Sequence, residues 1–419
     1  MRSNVFFRPG KVITLLVAVS LVCLLCASSW ALAGSNGSQQ ADVTGESVDE
    51  FEGGERYQAG EINILNLSGS YREMGRQYGR LLSKPMQELY QSAIVEYFKK
   101  EKGLSSEDML LAARGLYEFY PRRFKDIMEG MAETSGLSLE EHILLNGLEL
   151  YGTMSGCSAI FAWDDYTPGG QLIAGRNYDW FDSYTDFAEN LTVTVFNPDS
   201  GVPATIVTFA GVIYATTGMN AKGLFLELNN ALPSGGGLTY TNRVHAISNL
   251  MAFLFDYESM EQLDAAMNTT RSNFSYIINT ADSRGAYSYE WPPFDLLRRS
   301  GDEPGLLVST NHFVDPSWGL MQQEGTGFRS VERRDNLLEQ ARKYKGNIDL
   351  GKMKDMLDTP LEKGGPTWPD QGDIRTVYQV VAVPESLALW VKVPGFQDWI
   401  GIDLKSLFHE QGSEVRGSG

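Results

Sequence analysis

Cysteine is scarce. The 419-residue chain has three, too few for a disulfide-stapled fold. Basic residues are also in short supply, 35 Lys+Arg against 53 Asp+Glu for a formal net charge of −18. A surface of that sign repels phosphate backbones and anionic lipid, so nucleic acid is not expected as a partner. The longest uncharged apolar run falls short of the roughly 20 residues that a spanning helix needs. The four histidines, His142, His245, His312 and His409, show no metal-like spacing. Neither HExxH nor a phosphate-binding glycine motif occurs, so no metal and no nucleotide cofactor is expected. Internal repeats and coiled-coil heptads are also missing. What is present is an ordinary globular composition, 42% hydrophobic with 43 Gly and 16 Pro, enough to bury a sizeable core.

Arg2, Arg8 and Lys11 precede the 16-residue apolar run 12–27, and Ala31-Leu32-Ala33 follows it as a small-residue signature. Residues 1–33 therefore read as a secretory signal peptide cleaved after Ala33, which implies a secreted or periplasmic protein with no membrane association once the signal is removed. A membrane anchor is the rival reading, and the run is short for it. The mature chain keeps 32 basic against 53 acidic residues, a balance of −21. Cys23 and Cys26 leave with the signal, so only Cys157 remains. A lone thiol in an exported protein is either a small apolar filler or a reactive group.

Residues 34–54 are rich in Gly, Ser, Gln, Asp and Glu and read as a flexible leader. Helical patterns follow at 71–82, from Pro85, and at 105–117, 121–134 and 138–151. Ser105 stands three residues before Asp108, and Ser138 three before Glu141, the spacing of N-terminal caps. After Gly156 the pattern turns to short strands at 157–163, 171–177, 191–196, 204–209 and 224–228. Helices at 243–255 and 260–268, strands at 274–279 and 286–290, a helix at 330–344 and strands at 375–383 and 388–393 complete the order. This succession predicts an α+β layered domain with antiparallel sheets.

The segment Gly156-Cys157-Ser158-Ala159 runs into turn chemistry at 164–170 and is followed by Gly175-Arg176-Asn177-Tyr178-Asp179-Trp180. Two strands joined in this way fold back, bringing Cys157 beside Arg176 and Asp179. A guanidinium beside a thiol favours the thiolate, and the carboxylate can hold an ammonium or orient the cation. Equally, Arg176 and Asp179 can simply pair at a strand end. The aromatic residues Trp180, Phe181 and Tyr184 either line an acyl pocket or pack in the core.

Gly-Cys-Ser-Ala followed by Gly-Arg-Asn-Tyr-Asp-Trp resembles the N-terminal nucleophile (Ntn) hydrolases with a catalytic cysteine, in particular the isopenicillin-N acyltransferase-like family. Choloylglycine hydrolase, penicillin V acylase and N-acylethanolamine acid amidase are its relatives. Three further segments carry the resemblance: 69–79 as the propeptide type, 218–230 as the strand with an oxyanion-hole asparagine, and 308–313 as a later Thr-Asn segment. The resemblance implies a four-layer αββα sandwich and a precursor cut between Gly156 and Cys157. That cut divides a helical α fragment, with residues 55–156 as its propeptide, from a catalytic β fragment, 157–419. It further implies Cys157 as nucleophile with its freed α-amine as base, Arg176 supporting the thiolate and Asp179 holding the amine. Asn229 is the implied oxyanion donor and Asn311 a second positioning amide. For the family's late arginine, both Arg329 and Arg333 are available, with Arg333 preferred.

The implied activity is hydrolysis of a non-peptide N-acyl amide through a Cys157 thioester, with the two fragments staying associated. Transfer of the acyl group to an amine is one alternative, and a non-catalytic exported binding protein is another. Homo-oligomerisation is left open. The absent side chain of Gly156 leaves room for the thiol to attack the preceding carbonyl.

Overall fold

A computed structural model describes residues 47–151, 156–181, 183–320, 327–369 and 373–409. The expected signal segment 1–33, with Cys23 and Cys26, lies outside the described residues, as does most of the expected leader. The remainder of that leader is ordered as a strand. β1 (Asp49–Phe51) pairs antiparallel with β2 (Gly54–Ala59), and the two are joined through Glu52 and Gly53, both at positive φ (49° and 82°). That is the backbone of a type I′ hairpin, which Gly53 makes accessible.

Among the described residues, sixteen strands form two sheets. The next are β3 (Ile62–Gly69), β4 (Gly156–Asp164), β5 (Gly170–Phe181), β6 (Leu191–Pro198), β7 (Ala204–Phe209), β8 (Thr217–Asn220) and β9 (Phe225–Asn230). After them come β10 (Tyr276–Asp282), β11 (Gly285–Trp291), β12 (Leu297–Arg299), β13 (Leu306–Ser309), β14 (Ile374–Val383), β15 (Ala388–Val393) and β16 (Gln397–Asp403). One sheet has the order β1-β2-β3-β6-β7-β8-β9-β10-β11-β12, the other β13-β4-β5-β14-β15-β16. The sheets are antiparallel as expected, with one parallel pairing, between β3 and β6.

The stretch 55–156, expected to be helical, also begins with two strands. Its Ile62-Asn63-Ile64-Leu65-Asn66-Leu67 run is buried at nearly every position, so the alternation that marks a half-exposed strand is lost.

Helices cover both outer faces. α1 (Tyr71–Leu81) packs on β1–β3 and on α2 (Arg122–Thr134), while α3 (Ala246–Asp256) and α4 (Met260–Thr269) cover β7–β10. On the other sheet α5 (Ser330–Lys343) packs on β4 and β13, and α6 (Leu350–Asp358) on β5 and β14. The sheets meet through β4 and β9, where the Phe161 and Phe225 ring centroids lie 6.1 Å apart. The architecture is therefore the expected α+β four-layer αββα sandwich. The caps read from sequence are present: Ser138 and Glu141 form a full capping box, and the Ser105 hydroxyl accepts the Asp108 N–H.

Alternation along β4 sets up the site. Cys157, Ala159 and Phe161 join the core between the sheets, whereas Ile160 and Ala162 join a second core beneath α5 and α6. The register pairs Gly156 with Asp179, Cys157 with Tyr178 and Ala159 with Arg176. Paired residues share a face. Arg176 therefore lies on the same face as the Cys157 thiol, and Asp179 on the opposite one.

Candidate functional site

The turn that returns β4 into β5 brings Arg176 to the thiol. Its Nη2 lies 3.6 Å from Cys157 Sγ and donates to the Leu228 carbonyl at 3.1 Å. Nη1 donates to Thr217 Oγ1 at 2.6 Å and to the Thr216 carbonyl, and it stands 3.5 Å from Glu227 Oε2. Arg176 and Glu227 are both fully buried. The guanidinium is thus held by a buried carboxylate that the sequence reading missed. A signal for it exists: in Phe225-Leu226-Glu227-Leu228-Asn229, period-2 alternation puts Glu227 and Asn229 on one face of an apolar strand.

The backbone of Cys157 is held by a different set of groups. Its N–H donates to Asn311 Oδ1 at 2.9 Å, and its carbonyl accepts from Arg333 Nη1 at 2.7 Å. Arg333 also reaches Asp179 Oδ2 at 3.2 Å, Asn311 Oδ1 at 2.6 Å and the Phe328 carbonyl at 2.8 Å. Asp179 Oδ1 accepts from Thr376 Oγ1 at 2.7 Å. Asn311 is fixed in turn, its Nδ2 donating to the Asn230 carbonyl at 2.8 Å and its N–H to Ser330 Oγ at 2.7 Å. Of the two candidate late arginines, Arg333 is buried at this centre, whereas Arg329 is half-exposed and pairs with Glu332 at 2.5 Å. Asn229 joins through Ser309, whose hydroxyl accepts from Nδ2 at 3.4 Å; its Oδ1 has no hydrogen-bond partner among the described residues. Asp179 pairs with Arg333 rather than with Arg176, so the alternative reading of the two as a simple strand-end pair is not what the structure places there.

Burial dominates the electrostatics. It pushes the Cys157 thiol up to about 12 against the opposing Arg176 charge, so in the uncut chain the thiol stays protonated at neutral pH. Burial likewise raises Asp179 to about 7, opposed by Arg333, and Glu227 to about 7, opposed by Arg176. Cys157 is only 1% exposed. The sulfur is therefore enclosed, yet beside a guanidinium.

The scissile position predicted from sequence is tightly packed. A Cβ added at Gly156 would meet Phe328 carbons at 3.2 Å. Phe328 and Arg329 both sit at positive φ, 63° and 47°, a strained backbone for residues with side chains. Of the aromatic trio, Trp180 lines a cavity of about 330 Å³ beside the site. Phe181 and Tyr184 do not line it. Tyr184 is buried, donates to the Leu148 carbonyl at 2.7 Å and packs on Trp180 at 4.9 Å, so core packing accounts for it.

No family model matches the chain. Two curated proteins share sequence with it. Protein dcd1B of Dictyostelium discoideum is 24% identical over 280 residues, 60% of this chain and 55% of that protein. The acyl-coenzyme A:6-aminopenicillanic-acid-acyltransferase 40 kDa form of Emericella nidulans is 27% identical over 200 residues, 46% of this chain and 52% of that protein. In sequence the chain is thus similar, over part of its length, to an acyltransferase acting on 6-aminopenicillanic acid. It spans about half the length of the curated relatives it matches. Among solved structures, the penicillin V acylase from Agrobacterium tumefaciens aligns at a TM-score of 0.44 with 14% identity, covering 60% of this chain and 88% of that one.

Proposed function

We propose that the chain is an exported, self-processing cysteine amidase that hydrolyses a linear, non-peptide N-acyl amide through a Cys157 thioester. The observation that carries this reading is the cradle around Cys157. Arg176 is on its sulfur, while Asn311, Arg333 and Asp179 surround the nitrogen and carbonyl that maturation would turn into a chain terminus.

In the uncut chain the nitrogen is an amide and cannot act as a base. Attack of the thiol on the Gly156 carbonyl, with transfer of the acyl bond from nitrogen to sulfur and hydrolysis by water, would leave a Gly156 carboxylate and a free Cys157 amine. An α-amine titrates near 7.7–8.0 and can take the thiol proton near neutrality. In this reading Asn311 Oδ1, which already accepts the Cys157 N–H, and the Asp179 carboxylate hold the resulting ammonium. In turnover the thiolate adds to the substrate carbonyl, the amine leaves with a proton, and water releases the acid. Asn229 Nδ2, in its weak 3.4 Å contact with Ser309, is available to donate to the developing oxyanion. Freeing the chain before Cys157 would also uncover the sulfur that the intact chain encloses.

Two other readings rest on specific observations. The similarity to the Emericella nidulans acyltransferase favours acyl transfer to an amine. The buried, high-pKa thiol favours a non-catalytic binding protein. Intact mass decides the latter, since two fragments divided before Cys157 have no place in a binding protein. Incubation with an N-acyl amide plus an acceptor amine separates hydrolysis from transfer by the product formed. A single intact chain with no thioester trapped at Cys157 overturns the proposal.

A further inference from the structure

Strict alternation along a strand puts residues two apart on one face, yet Thr376 and Tyr378 of β14 face opposite ways. Thr376 pairs with Asp179 and Tyr378 with Tyr178, and the register shifts between the two pairs. Paired residues share a face. Asp179 and Tyr178 are successive residues of β5, so their partners on β14 are split between the two sides of the sheet. The extra residue is Val377. It joins the core between the sheets together with Tyr378, Val380 and Ala382, whereas Val381 and Val383 join the core beneath α5 and α6. Two consecutive side chains on one face make a β-bulge, a device that re-aims side chains.

The bulge lets one strand serve both sides of Cys157. On the sulfur side, the Tyr378 hydroxyl lies 3.3 Å from Thr217 Oγ1, which accepts from Arg176 Nη1 at 2.6 Å. On the other side, Thr376 Oγ1 accepts the Trp368 N–H at 3.1 Å and stands 2.7 Å from Asp179 Oδ1. An ionised carboxylate only accepts, so the single hydroxyl proton of Thr376 goes to Asp179. The other oxygen, Oδ2, is held by Arg333 Nη1 at 3.2 Å. Thr376, Asp179 and Arg333 are all buried, which fixes the carboxylate at both ends away from water.

We propose that Thr376, aimed by the bulge at Val377, is a positioning residue that fixes the Asp179 carboxylate against the α-amine of the matured Cys157. This rests on the amidase reading above and adds a residue to its machinery. The donated hydrogen bond favours the ionised carboxylate, as do the charges that face Asp179, Arg333 from α5 and Arg176 on its own strand; the Cys157 thiol on β4 is its titratable neighbour. The test uses matured full-length protein and the aminomethylcoumarin amides of straight-chain fatty acids, followed by fluorescence. Thr376→Val keeps nearly the same shape without the hydroxyl. It should lower kcat by about 10-fold with KM unchanged. It should also carry the acid limb of the kcat/KM profile to higher pH, because the ionised carboxylate has lost a donor. Thr376→Ser should return both to the values of the unmodified protein. An unchanged kcat in Thr376→Val, an acid limb that does not rise, or a loss that Thr376→Ser does not repair overturns this inference while turnover by the unmodified protein keeps the amidase reading. A Thr376→Val chain that unfolds or stays uncut overturns it as well, since its effect then precedes the amine. Hydrolysis of none of the amides by the unmodified protein overturns both.

Discussion

The side-chain oxygen of Asn311 accepts the backbone N–H of Cys157 at 2.9 Å and the Arg333 Nη2 at 2.6 Å. One buried oxygen thus joins the proposed new terminus to the guanidinium that holds its carbonyl. Asn311→Ala would leave two buried donors unmet, at about 1–3 kcal/mol each. The variant should be less stable in urea and should mature more slowly on a gel time course. Maturation at the unmodified rate would separate Asn311 from the reaction.

Cys157→Ala should remain one uncut, inactive chain. Intact mass on the purified variant is the check, and two fragments would contradict the proposed nucleophile.

Arg176 and Glu227 form a buried pair at 3.5 Å. Removing one partner leaves a charge uncompensated, typically about 3–5 kcal/mol. Arg176→Gln should therefore unfold at lower denaturant, and adding Glu227→Gln should restore part of the loss. No recovery in the double variant would show that the pair is not coupled.

At Gly156 a methyl group would press on Phe328 at 3.2 Å. Gly156→Ala should slow the cut, and Phe328→Ala in the same chain should restore much of the rate. A Gly156→Ala chain that matures normally would remove close packing from the account.

Glu149, in the cavity wall, is raised to about 7 by burial, partly offset by the Tyr178 hydroxyl that donates to it. Between its ordinary value of 4.5 and about 7, the unfolded chain is ionised there while the folded one stays protonated. Stability conferred by that proton is complete at low pH and declines as pH rises through this window. In the uncut Cys157→Ala background, Glu149→Gln should flatten the decline, which for one group is about 1.4 kcal/mol per pH unit at most. Denaturant titrations at pH 5 and pH 7 give the slope, and an unchanged slope rules out this assignment.

Much of the arrangement was legible in the sequence because it is local. The turn at 164–170 fixes how β4 meets β5, and with it the placement of Cys157, Arg176 and Asp179. Asn311 and Arg333, more than 150 residues beyond Cys157, became candidates only through the family's motif order, since nothing in their spacing brings them to β4. Glu227 carried a signal, its alternation with Asn229 along an apolar strand, but its partner Arg176 lies on another strand and the pairing shows only in the fold. The strand at 62–69 was missed because both its faces are covered.

The parallel pairing of β3 with β6 carries a final consequence. β3 precedes the proposed cut and β6 follows it, and their register runs from Asn63–Thr192 to Gly69–Pro198. The upstream piece is woven into the ten-stranded sheet and its core, so hydrolysis before Cys157 would nick the covalent chain without dividing the molecule. The two pieces should travel as one particle on a sizing column and part only in denaturant.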